Sequence, residues 1–363
     1  MKKIIFYVTL LALISVSDVV SASWEKLYQN TKDTYVGDVK IQDLATAALK
    51  GLNNIDKNLS IGSGVQSITL YYKGKVVYNV AKPDNDDASK WGEITQRLVD
   101  KAIEKSAKAS ENDFKIFDAM ASELPRILDE DSKFFENIDE AGGIAVKNKR
   151  VFGAKQEDNI LIIRIVAFNK QTINEIIKIT EENNMAEAIV FDLRGCLGGM
   201  SSEAILAADL FLDSGIITSI QGKDKSEEVY YTAKEDNIWK NKPVFILVDE
   251  NTASAGEIFV SALKEQGIAK VIGTVTKGKG SMQKLIPLET GSVLAITNSF
   301  FKTPANNEIH HHGIVPDICT FELSDNQNVD DLLKRKYKDC YKQNREDMLL
   351  EYKIVSKLLK KDD

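Results

Sequence analysis

From residue 158 onward, short apolar runs alternate with amphipathic segments, and this alternation constrains the fold more than any other feature. The runs Ala188–Leu193, Val244–Val248 and Ala269–Gly273 hold few polar residues, as expected of strands that are buried on both faces. Thr172–Glu182 and Ser254–Lys264 lie between them with the spacing of helices. Strands and helices in this order predict an α/β core with a mostly parallel sheet covered by helices.

The segment before this core has a different pattern. Residues 24–58 have apolar residues at helical spacing, and Val65–Tyr72 and Lys75–Val80 predict a hairpin around Lys73-Gly74. Further helices are predicted at Trp91–Lys108 and Phe114–Leu128. We divide the chain into a signal peptide at 1–22, an α+β cap region at 23–157, a core at 158–320 and a helical tail at 321–363.

The first 22 residues have the pattern of an export signal. Lys2 and Lys3 precede an apolar run, Ile4–Val16, and Val20-Ser21-Ala22 supplies small residues before Ser23. A charged start, a short apolar run and small residues at a cleavage site are typical of a secretory signal peptide. The alternative is a membrane anchor, but the run is shorter than the roughly 20 residues that a spanning helix needs.

The net charge and the number of cysteines limit which binding partners and which cellular compartment we expect. The net charge is −7, which gives no concentrated basic face for nucleic acid and disfavours anionic membrane surfaces. With three cysteines, at least one thiol stays free, so the chain is no disulfide scaffold. Whether Cys319 and Cys340 form a disulfide is undecided at this point, because their spacing alone does not determine the pairing. We expect a bacterial periplasmic or secreted protein with no membrane span after signal cleavage.

Three loops, each following a predicted strand, carry the residues suited to chemistry. In α/β sheets this edge is where ligands bind. Asp192–Gly199 ends in paired glycines, which let main-chain N–H groups approach a ligand closely. Such N–H groups form oxyanion holes, although a plain tight turn is the alternative. Asn251–Glu257 holds Ser254 among small residues, where a serine is otherwise only a helix N-cap. The third loop, Thr276–Gln283, contains two lysines among glycines.

A lysine can replace histidine as the base of a serine nucleophile if its surroundings keep it neutral. All three histidines are adjacent, at His310, His311 and His312, and they lack a third well-placed metal ligand. We therefore expect no metal site there and none at the acidic run Asp84–Asp87, which lacks the glycine and glutamate of a calcium loop.

Taken together, the loops resemble those of the carboxy-terminal processing (tail-specific) proteases, peptidase family S41. Asp192–Gly199 resembles their D-L-R-x-N-x-G-G loop, Ser254–Glu257 their S-A-S-E loop, and Gly278–Gln283 their G-K-G-[ST]-x-Q loop. Gly313–Ile318 resembles their late G-[IV]-x-P-D segment, and the 25 residues from Ser254 to Lys279 suit the family. Four motifs in order make the resemblance specific over residues 158–318.

The resemblance implies roles for individual residues. Ser254 would be the nucleophile, Lys279 the general base and Gln283 the residue that orients the lysine. The main-chain N–H groups of Gly198, Gly199 and Ala255 would form the oxyanion hole. Lys277 competes as base, but it stands where the family usually has an aromatic residue. The family fold is related to crotonase and ClpP, and no cofactor is implied.

The chain also departs from the family. Cys196 and Leu197 replace the usual Asn and Pro, and Gly256 replaces the second serine of the nucleophile loop. A PDZ domain of roughly 80–100 residues usually precedes the core, whereas Glu136–Asp158 leaves room for only 23 residues. We expect no PDZ domain, which removes the usual device for reading protein tails.

These observations favour an exported serine endopeptidase with a Ser-Lys dyad. It would cleave periplasmic or membrane-associated polypeptides, in some cases near their carboxy termini. A non-catalytic scaffold with the same fold is the first alternative, because fold does not fix function. An acyl-transfer or hydratase enzyme is the second. Whether the chain forms a homo-oligomer is left open.

Overall fold

The computed structural model describes residues 16–142, 152–157, 159–234, 237–321, 329, 333, 340–341 and 349–360. The chain forms two compact units. The first comprises Met1–Ala141 and Gln283–Thr297, and the second comprises Gly142–Met282 and Asn298–Asp363. The predicted domain boundaries at 22, 157 and 320 stay predictions. Residues 1–15 of the predicted signal peptide lie outside the described residues, as does part of the stretch Glu136–Asp158.

The first unit combines helices with a three-stranded antiparallel sheet. Its strand order is β1-β2-β3, and the predicted hairpin is confirmed as β2 and β3. Trp24, Tyr28 and Trp91 are fully buried in its core. The elements, in chain order, are α1 (Val16–Thr34), α2 (Ile41–Lys50), α3 (Leu52–Ile55), β1 (Leu59–Ser63), β2 (Ser67–Tyr72), β3 (Lys75–Ala81), α4 (Ala88–Lys105), α5 (Ala107–Glu111), α6 (Asp113–Ala121), a 3-10 turn (Leu124–Ile127), β4 (Lys133–Phe135) and α7 (Ile138–Gly142).

Two predicted helices of this unit end earlier than expected, because a polar cap and a proline interrupt them. The helix α4 ends at Lys105, and Ser106 caps the next helix by accepting the N–H of Ala109 at 3.1 Å. The helix α6 ends at Ala121, and Pro125 follows in the 3-10 turn.

The acidic run before α4 has a local structural role. Asp87 accepts the N–H groups of Ser89 and Lys90 and so caps α4, while Asp86 pairs with Lys32 at 2.7 Å.

The second unit is built on a six-stranded sheet of order β14-β11-β10-β7-β6-β5. Every neighbouring pair is parallel except β5 with β6. This confirms the predicted α/β fold with a mostly parallel sheet and covering helices. The elements are β5 (Phe152–Glu157), β6 (Ile160–Ile165), α8 (Thr172–Glu182), β7 (Ala188–Asp192), α9 (Ser201–Asp209), β8 (Ile216–Gly222), β9 (Glu228–Thr232), β10 (Val244–Val248), α10 (Ala255–Glu265), β11 (Ala269–Gly273), β14 (Ile318–Cys319) and α11 (Leu349–Leu359).

Apolar residues fill both faces of this sheet. On one face, the cluster that contains Ile189, Phe191 and Ile246 packs with α8, α9 and α10. On the other face, Val190 and Leu247 pack with α11. Successive strand residues point to opposite faces, which is why both Val190 and Phe191 are fully buried.

Two long strands contribute residues to both units, namely β12 (Ser281–Pro287) and β13 (Val293–Lys302). In the first unit, β4 pairs with residues 293–295 of β13. In the second, β8 pairs with residues 299–302 of β13 on one side and with β9 on the other.

A disulfide joins Cys319 at the end of β14 to Cys340, with the two Cα atoms 5.9 Å apart, and Cys196 is free and buried. This settles the pairing that the spacing left open. Of the predicted tail helix, the structure describes mainly Leu349–Leu359. Among the described helices, none is both long enough and apolar enough to cross a membrane.

Candidate active site

The three predicted loops follow three neighbouring strands. They begin after Asp192 of β7, Val248 of β10 and Gly273 of β11, and these strands lie in the order β7-β10-β11. Since the strands are parallel, their carboxyl ends share one edge of the sheet. Main-chain hydrogen bonds join the loops: Ala253 N–H donates to Cys196 C=O, and Lys277 N–H donates to Thr252 C=O, each at 2.9 Å.

Ser254 occupies a strained turn between the second loop and α10. Its φ of 54° and ψ of −117° are rare for a residue with a side chain, and such a conformation costs about 1–3 kcal/mol. Ser254 is half-buried, whereas its neighbours Ala253 and Ala255 are buried. The turn therefore differs from an ordinary N-cap, which has extended backbone angles.

Of the paired glycines, Gly198 lies directly against this turn, and Gly199 lies against the backbone of Phe168. A Cβ atom at Gly198 would lie 2.8 Å from the Ser254 Cβ, and one at Gly199 would overlap the carbonyl oxygen of Phe168. Their φ angles are 100° and 118°, so only glycine suits either position. Ala255 is the first residue of α10, so its N–H has no acceptor within the helix.

Cys196 lies inside the glycine loop and competes for one of these amides. Burial raises the pKa of the Cys196 thiol to about 12, although a hydrogen bond from the Gly198 N–H acts in the opposite direction. The thiol is therefore uncharged at neutral pH. The Gly198 N–H therefore lies close to the Cys196 sulfur.

A buried carboxylate, Glu257, holds the nucleophile loop and the lysine loop together. Its Oε2 accepts the N–H of Ser254 at 2.9 Å and the N–H of Lys279 at 2.8 Å. Its Oε1 accepts the Thr276 hydroxyl and the Gly278 N–H, both at 2.6 Å. Glu257 is fully buried. Burial raises the pKa of its carboxyl above the ordinary value, and the four hydrogen bonds oppose that shift.

The bridging role of Glu257 was missed at the level of sequence, where it is only the last residue of the Ser254–Glu257 motif. A signal was present, however. A serine followed three residues later by glutamate is the pattern of a capping box, in which the glutamate accepts the serine N–H. That contact is present here.

The two candidate lysines occupy different environments. Lys279 is half-buried and Lys277 is exposed. The Lys277 N–H bonds to the nucleophile loop, whereas the Lys279 N–H bonds to Glu257. Gln283 is the third residue of β12, is half-buried, and is counted with the first compact unit. Its role as the residue that orients Lys279 stays a prediction.

The histidines support the lysine loop through their backbone. The N–H of His311 donates to the carbonyl of Gly278 at 2.8 Å, and Gly280 packs against the backbone of His310. The rings of His310 and His311 contact each other at an interplanar angle of 44°, and the His310 ring also contacts Phe300. Across the described ranges, no cluster of three or more His, Cys, Asp or Glu side chains is arranged to hold a metal ion.

Comparison with known proteins supports the resemblance. Residues 159–320 match the sequence model of Peptidase family S41. The chain is 32% identical over 188 residues to a carboxy-terminal-processing protease of Bartonella bacilliformis, covering 50% of this chain and 41% of that protein. It is 26% identical over 321 residues to a probable CtpA-like serine protease of Staphylococcus saprophyticus, covering 81% of this chain and 64% of that protein.

Among solved structures, a lipoprotein from Streptococcus agalactiae has a TM-score of 0.50 at 16% identity, covering 79% of this chain and 94% of that one. This likeness concerns the fold alone. The chain spans less than two thirds of the length of either curated relative. The predicted resemblance to the carboxy-terminal processing proteases of family S41 is confirmed.

Proposed function

We propose that this protein is an exported serine endopeptidase that hydrolyses peptide bonds with Ser254 as nucleophile and Lys279 as general base. Its substrates are periplasmic or membrane-associated polypeptides, cut in some cases near their carboxy termini. The observation that carries the proposal is the Glu257 carboxylate, which fixes the main chain of Ser254 and that of Lys279 on one oxygen.

The reaction follows from the parts of the site. The Lys279 amine takes the proton of the Ser254 hydroxyl as the oxygen attacks the peptide carbonyl. The negative charge that develops on the carbonyl oxygen is stabilised by main-chain N–H groups of Ala255 and of Gly198 or Gly199. Lys279 then returns the proton to the leaving amine, and an ester with Ser254 remains. Water, deprotonated by the same amine, hydrolyses the ester, which releases the acid and restores the hydroxyl.

We assign the role of general base to Lys279 and not to Lys277 because of the surroundings of each residue. An amine acts as base only in its neutral form, and exclusion from water favours that form. Lys277 is exposed and Lys279 is half-buried. Orientation of the Lys279 amine by Gln283 is part of this proposal.

Hydrolysis of an unfolded, fluorescently labelled protein tests the proposal. The mature protein should cleave it, and Ser254→Ala should reduce the rate by at least about 10³-fold, as loss of a nucleophile does. Cleavage by Ser254→Ala at the wild-type rate would contradict the proposal. No cleavage by the wild type, together with no reaction of Ser254 with a serine-directed probe, would favour the non-catalytic scaffold.

A further inference from the structure

The helix α11 carries a buried carboxylate against the sheet. Leu350, Ile354 and Val355 are fully buried on the face opposite α8, α9 and α10. Glu351, which follows Leu350, is only 1% exposed. A carboxylate buried to this degree destabilises a protein unless its oxygens have partners. The partners of Glu351 therefore indicate why the helix holds it there.

Both oxygens of Glu351 contact residues of the core. The guanidinium of Arg194 donates from Nη1 to Oε2 at 3.2 Å, and the hydroxyl of Thr320 donates to Oε1 at 3.0 Å. The side chains of Arg194 and Glu351 are 5% and 1% exposed. Water scarcely screens such a pair, so each charge depends on the other.

Arg194 connects Glu351 to Asp192 at the end of β7. Its Nε and Nη2 each donate to one oxygen of Asp192 at 2.9 Å, a bidentate pair. Tyr352 donates its hydroxyl to Asp192 at 3.2 Å, and Arg164 donates from Nη1 at 2.9 Å. Burial alone would raise the pKa of Asp192, but the hydrogen bonds of Arg194 and the charges of Arg194 and Arg164 together lower it. Two carboxylates thus balance two guanidinium groups.

This network continues into the glycine loop. Arg164 donates from Nη2 to the carbonyl of Arg194 at 3.1 Å, and the next N–H, that of Gly195, donates to Asp249 at 2.9 Å. Three residues further, Gly198 lies against Ser254. A loop anchored at Arg194 therefore ends beside the nucleophile, where a displacement of about 1 Å can lower a rate about 10²-fold.

We propose that Glu351 is a positioning residue that acts through Arg194 to hold the loop Arg194–Gly199 in the conformation that presents its amides beside Ser254. The proposal rests on the proposed peptidase function for its catalytic consequence. Its structural part, the coupling of α11 to the glycine loop, stands on the contacts alone.

The reactivity of the Cys196 thiol reports on the conformation of this loop. It lies within the loop and is fully buried, and the other two cysteines are joined in the disulfide. Alkylation of Cys196 under native conditions therefore measures how often the loop opens. We expect Glu351→Gln to accelerate alkylation by iodoacetamide about tenfold or more, because the buried Arg194 guanidinium loses one of its two buried carboxylate partners. Tyr352→Phe removes only one hydroxyl. It should leave the chain well folded and accelerate the alkylation of Cys196 to a smaller extent.

Val355→Ala is the matched control. Val355 lies on the same helix and is fully buried, but it packs with apolar residues of the sheet. The truncation should lower the melting temperature while alkylation of Cys196 changes less than about twofold under conditions that keep the protein folded. Equal acceleration by Val355→Ala and Glu351→Gln would overturn the proposal, since it would show that loosening of α11 alone exposes the thiol.

Measurements of kcat and KM distinguish an effect of Glu351 on the position of the loop from an effect on the stability of the protein. For peptide hydrolysis, Glu351→Gln should lower kcat about tenfold and leave KM within about twofold, since the amides act on the transition state. Glu351→Asp, which keeps the charge, should recover part of kcat. An unchanged alkylation rate in both Glu351→Gln and Tyr352→Phe overturns the coupling, and faster alkylation with unchanged kcat overturns the catalytic role. If the wild type shows no hydrolysis, the proposed function fails, and alkylation still decides the coupling.

Discussion

The main-chain N–H groups of Ser254 and Lys279 donate to the same oxygen, Oε2 of Glu257, at 2.9 Å and 2.8 Å. Two residues 25 positions apart are thereby fixed to one atom in a fully buried position. A carboxylate accepts such bonds more strongly than a neutral group does. The relative position of the nucleophile loop and the lysine loop thus depends on the charge and shape of Glu257.

Replacing Glu257 should therefore lower the rate of hydrolysis, although Glu257 itself has no role in the bond-making steps. In Glu257→Gln, the amide nitrogen would face an N–H or hydroxyl donor in place of an oxygen. Leaving buried donors unsatisfied costs about 1–3 kcal/mol, so we expect lower thermal stability and a kcat reduced about 10- to 100-fold. Hydrolysis and thermal unfolding measured together test this.

Glu265→Gln is the control for that substitution. Glu265 ends the same helix and is exposed, and it accepts the N–H of Ala305 at 2.8 Å. Its replacement should change neither quantity appreciably, because exposed hydrogen bonds contribute little. Equal kcat values for Glu257→Gln and the wild type would contradict the bridging role.

Gly198 should tolerate no side chain. In Gly198→Ala, the methyl group would meet Ser254 at 2.8 Å and the backbone would stay at a φ of 100°. We expect a loss of activity of about 10²-fold or more, the scale of losing one oxyanion donor. Gly267→Ala has a φ of 72° and open space around the new atom, so it imposes backbone strain without a clash. It should lower stability and leave kcat unchanged. Comparable loss of kcat in both variants would contradict the close approach to Ser254.

The buried charge of Asp192 should appear in the pH dependence of stability. Burial acts to raise its pKa, but the hydrogen bonds and charges of Arg194 and Arg164 together hold it below the ordinary value in the folded protein. A lowered folded-state pKa gives stability that is present above the unfolded-state pKa and is lost as the pH falls through the folded-state value. Asp192→Asn should thus destabilise strongly at pH 7, by about 3–5 kcal/mol as for a broken buried pair, and less at pH 3. Denaturant unfolding at both pH values measures it, and a pH-independent difference would argue against a charged Asp192.

The disulfide should stabilise the second unit. Cys319 and Cys340 are 21 residues apart, and closing a loop of this length contributes about 3 kcal/mol in the unfolded-chain entropy account. Reductant should therefore lower the melting temperature of the wild type. It should have the same effect on Cys196→Ala, whose thiol takes no part in the bridge. The double variant Cys319→Ser and Cys340→Ser should melt at the lower temperature and be insensitive to reductant, and continued sensitivity would contradict this.

The sequence predicted the strands of the sheet centre well, because strands buried on both faces are apolar at nearly every position. Val244–Val248 and Ala269–Gly273 were predicted with their observed bounds. The hairpin of β8 and β9 was not predicted. Four of the five residues of β9 are exposed, so burial imposes no alternating pattern there.

Parts of the candidate site were less visible in the sequence, for physical reasons. The order of the motifs identified the three loops. A buried glutamate in a helix, such as Glu257, cannot be distinguished in the sequence from an exposed charged residue, because its partners are known only from the structure. Glu351 lies 157 positions from Arg194, and no local pattern links residues so far apart. Lys277 and Lys279 differ by burial, which two similar positions in one glycine-rich loop do not reveal.

Reaction with a fluorophosphonate probe, followed by mapping of the modified residue, tests the dyad most directly. We expect Ser254 to be the residue modified and Ser254→Ala to remain unlabelled. Lys279→Ala should be labelled at least about 10²-fold more slowly, because the hydroxyl loses its base. Lys277→Ala, the exposed neighbour, should be labelled at the wild-type rate. Modification of a different residue, or labelling of Lys279→Ala as fast as the wild type, would contradict the account.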